Sequence, residues 1–60
     1  MTQIASSDLE KTYDTLAMSI DKASPEKTEL FLVKLGLLLA NELNDRKRFA
    51  ALCETALLDL

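Results

Sequence analysis

The apolar positions of this chain fall into three blocks with different patterns. Leu9, Tyr13, Leu16, Ala17 and Ile20 follow one another at steps of four, three, one and three residues. On an α-helix such steps gather a single stripe about 100° wide. Lys11, Thr15, Ser19 and Lys22 fall opposite it. The spacing predicts an ordinary amphipathic helix over residues 8–23. The last block, Phe49, Leu52, Cys53, Ala56, Leu57 and Leu60, again keeps three–four spacing and predicts a helix over residues 46–58.

The middle block breaks this pattern. Leu30 to Leu43 reads LFLVKLGLLLANEL. At about 100° per residue, Lys34 and Asn41 share one narrow sector with Lys27, and Glu42 stands off to the side. Every other position is apolar or Gly36. A helix that leans only on its own domain needs one apolar stripe, and this one has much more.

Breaks between the blocks are marked by specific residues. Ser7-Asp8-Leu9-Glu10 fits a capping box, in which the Ser7 hydroxyl and the Glu10 carboxylate each accept a backbone N–H of the other residue. Residues 1–6 ahead of it are expected to fray. Ser24-Pro25 ends the first helix, because a proline disfavours helical geometry in the residue before it. Pro25 then suits the first position of a second helix over residues 25–43, with Ser24 as its cap. So short a connection predicts two roughly antiparallel helices. Asn44 tolerates the left-handed conformation that closes many helices, and Asp45 is a good cap for the third. No alternating strand pattern, internal repeat or low-complexity tract interrupts this plan.

These readings give an all-α fold, a helical hairpin plus a third helix, with helix 2 in the centre. The first and third helices each cover part of helix 2, and an apolar arc is left over. Each large aliphatic side chain left in water forfeits about 1.5–3 kcal/mol, so two or three of them rival the whole stability of a domain this small. A second copy or another protein is therefore expected against helix 2. Phe31, Val33, Gly36, Leu37 and Ala40 are the candidate contacts. Gly36 costs a helix interior roughly 1 kcal/mol against alanine, and the cost makes sense if another helix crosses closely there, with Ala40 one turn on. Met18 lies opposite the apolar stripe of helix 1, as a single exposed methionine.

Composition narrows the classes. Sixty residues make one small domain, near the lower limit for a chain that folds alone. Such domains draw extra stability from disulfides, metals, oligomerisation or very good helix packing. Cys53 is the only cysteine and there is no histidine, which removes an internal disulfide and argues against a metal site. Ten acidic and seven basic residues leave a net charge of −3, unfavourable for general binding to phosphate backbones. A lone thiol suits a reducing compartment. The start has neither the basic residues nor the apolar run of a signal peptide, and the longest apolar block is short of the roughly 20 residues of a membrane span. A cytoplasmic protein with no membrane segment is expected.

No catalytic constellation emerges. Cys53 has no histidine to activate it and falls on the apolar stripe of helix 3, which predicts a packing role. The carboxylate pairs Glu10/Asp14 and Glu26/Glu29 lie on solvated faces, and no glycine-rich phosphate loop or acidic calcium loop is present. The chain reads as a non-enzyme without a cofactor. Arg46-Lys47-Arg48 is the one charge run. Three cations in the first turn oppose the helix dipole, and the alternative reading is a small regulator holding nucleic acid through these three residues. It fits less well, since helix 3 offers few polar side chains to base edges beyond Arg48, Glu54 and Thr55.

The run Leu35-Gly36-Leu37-Leu38-Leu39-Ala40-Asn41, followed by Leu43 and Asp45, resembles the signature of a short bacterial family known only as a domain of unknown function. The likeness spans about Leu9 to Leu57, with Tyr13 as the aromatic of the early helix. Relatives often carry a glycine shortly before the aspartate, where this chain has Asn44. Members are often encoded beside flavin-dependent aromatic hydroxylases or other catabolic enzymes. The resemblance implies a small accessory or regulatory partner and assigns no catalytic residue.

Overall fold

The computed structural model describes residues 4–58 and 60. Among them it is all-helical: α1 spans Ser6–Ala23, a single 3-10 turn spans Pro25–Lys27, α2 spans Thr28–Leu43 and α3 spans Arg46–Leu57.

Helix boundaries shift where capping differs from expectation. α1 begins at Ser6, two residues before the predicted start. Its cap is the extended Ala5, with no side-chain hydrogen bond, so Ser7 lies inside the helix and the expected capping box does not form. Of the stretch expected to fray, Ser6 is helical, while Met1 to Gln3 lie outside the described residues. Along α1 the hydroxyls of Thr12, Thr15 and Ser19 each donate to the carbonyl four residues back, at 2.8, 3.1 and 2.8 Å. These bonds satisfy three side chains that face solvent or its edge.

Ser24 ends α1 and stands at the N-cap position of the turn that follows, but its side chain makes no capping hydrogen bond there. Its φ of 71° and ψ of 155° lie in a region almost reserved for glycine, at a cost of order 1–3 kcal/mol. Four hydrogen bonds hold it there. Its N–H donates to Asp21 O at 3.4 Å and its carbonyl accepts from Lys27 N–H at 3.1 Å. That carbonyl also accepts from Thr28 Oγ1 at 3.0 Å, and the Ser24 hydroxyl donates to Glu26 Oε2 at 3.0 Å. With the hydroxyl turned to Glu26, the first three residues after it wind as a 3-10 turn. The α-helix proper starts at Thr28 rather than Pro25.

The second connection follows the local chemistry closely. Asn44 takes the left-handed conformation, φ 53° and ψ 43°, and its N–H donates to Ala40 O at 2.9 Å. Asp45 Oδ1 accepts from the Arg48 backbone N–H at 3.0 Å, capping α3. That helix closes at Leu57, with Leu58 as an extended C-cap.

Packing is sparse. α1 meets α2 and α2 meets α3, but α1 and α3 do not come together, and nearly all close backbone approaches join residues near in sequence. The expected antiparallel hairpin is therefore open: α1 and α2 touch beside their connection and diverge beyond it. The Cα radius of gyration is 12.8 Å, against roughly 10.4 Å for a compact chain of this length. No described residue is fully buried. The nearest thing to a core is a line of half-buried residues, Leu16, Ile20, Phe31, Leu35, Leu43 and Phe49, running along the two helix junctions.

Candidate interaction surface

Because α1 and α3 each reach only one end of α2, apolar circumference stays open on three sides, one of them held by Leu38 alone, 65% exposed. The five residues expected to make contacts divide between covered and open positions. Phe31, Gly36 and Ala40 are half-buried, whereas Val33 and Leu37 are exposed, Leu37 by 65%. Val33 and Leu37 share an arc of about 60° with Leu30, which is also exposed. Leu32 and Leu39 form a second exposed arc on another side of the helix.

Gly36 lies in open space. A Cβ built on it meets no atom within 4 Å, so no helix of this chain crosses there, and the glycine is not explained by packing inside the chain.

Two grooves flank the α2–α3 junction. One is lined by Leu37, Ala40, Asn41, Asn44, Asp45, Arg46 and Phe49. The other is more apolar, with a volume of about 620 Å³. Its walls are Leu39 and Leu43 from α2 and Phe49, Leu52, Cys53 and Ala56 from α3, with Glu42 the single charged residue lining it. Small-molecule sites combine an apolar pocket with a few convergent polar groups, and this groove has almost none.

Cys53 departs from its expected packing role. It is exposed, because no helix of the chain covers that face of α3. Leu52 and Leu57 on the same helix are exposed too. The residues of this groove were legible as a stripe on helix 3; their lack of cover was not.

Arg46, Lys47 and Arg48 are all exposed at the start of α3, around the Asp45 cap. Among the described residues no group of three or more potential metal ligands gathers, and no helix is long and apolar enough to cross a membrane. No family model, no curated protein and no solved structure matches this chain.

Proposed function

We propose that this chain is a non-catalytic protein–protein interaction module that completes its fold against another polypeptide. The partner is a second copy of itself or a larger protein, in the second case with the chain as a small cytoplasmic accessory subunit of a catabolic enzyme. Residues on α2 carry the contact, with Val33 and Leu37 at its open centre and Phe31, Gly36 and Ala40 at its edge.

The supporting observation is the absence of any fully buried residue among those described. An isolated domain needs a core to offset the entropy of ordering its chain. The accessible area points the same way: 5727 Å², where a compact monomer of this mass exposes about 3,900 Å².

Sedimentation equilibrium of the wild type and of Leu37→Asp, each with circular dichroism, tests the reading. The wild type should sediment above 6.7 kDa, or be poorly folded alone when its partner is a larger protein. Leu37→Asp should lower the mass while leaving the helix content of any remaining folded species. A wild type that is monomeric, helical and cooperatively folded at every concentration overturns the proposal. High salt separates it from phosphate binding through Arg46, Lys47 and Arg48, which salt weakens steeply.

A further inference from the structure

We draw no further inference here: the strongest candidate, the apolar groove between α2 and α3 walled by Leu39, Leu43, Leu52 and Cys53, carries none, because nothing in the structure shows what covers it.

Discussion

Leu39 on α2 and Cys53 on α3 line the same groove from opposite walls, and neither is covered by any other part of the chain. The relationship follows from the connection between the two helices. Asn44 and Asp45 give a tight, well-capped turn, so α3 leaves α2 at once and shelters only its end. What a longer chain would lay over this junction, α1 cannot supply, because the Ser24 connection sends it elsewhere.

Removing the α3 cap should loosen this junction. Asp45→Ala loses the acceptor for the Arg48 N–H at 3.0 Å, at a cost of about 1 kcal/mol. Asp45→Ser should retain most of that stability. Urea unfolding followed by circular dichroism measures both. Equal loss in the two variants would mean that the aspartate acts through something other than its cap.

Ser24 should be improvable. Glycine adopts φ 71° and ψ 155° without strain, which relieves of order 1–3 kcal/mol but adds freedom to the unfolded chain. Ser24→Gly also loses an exposed bond to Glu26, a small term. A net gain of about 1 kcal/mol is expected in the same unfolding experiment. A clear loss would show that the hydroxyl, not the backbone, decides this turn.

Gly36→Ala separates two explanations for the glycine. With nothing within 4 Å of the added Cβ, alanine should strengthen α2 by roughly 1 kcal/mol. Helix content measured at low concentration should rise accordingly. If the dimer brings a neighbouring helix directly over Gly36, the same substitution will weaken association, visible as a lower mass at equal concentration. The proposed contact is centred on Val33 and Leu37 with Gly36 at its edge, so association should weaken only slightly.

The local plan was readable from the sequence, and the physics explains which parts. Asn44 and Asp45 act through bonds to residues three or four positions away, so their roles follow from residue type alone. Three helices followed from periodicity for the same reason. The start of α1 was misplaced because Ser7 fits a capping box without being required to form one, and the helix runs on to Ser6 without a side-chain cap. Helix 2 began late because the Lys27 N–H donates to the Ser24 carbonyl and the Ser24 hydroxyl donates to Glu26 instead of accepting a backbone N–H as a cap, a choice that sequence does not fix. The surplus apolar circumference of α2 was visible from Leu30 to Leu43. The matching surplus on α3 was not: Cys53 and Leu52 sit on an ordinary amphipathic stripe, which normally implies cover. Whether that cover exists depends on the angle at which α1 leaves Ser24, a property of two unusual dihedrals rather than of any spacing.

Thermal unfolding by circular dichroism across a wide range of chain concentrations tests the central claim most directly. A fold completed by a second copy is stabilised by mass action, so its midpoint should climb as the chain becomes more concentrated, and helix content should fall on dilution. A cooperative transition whose midpoint stays fixed from dilute to concentrated solution, with full helicity throughout, would contradict the account.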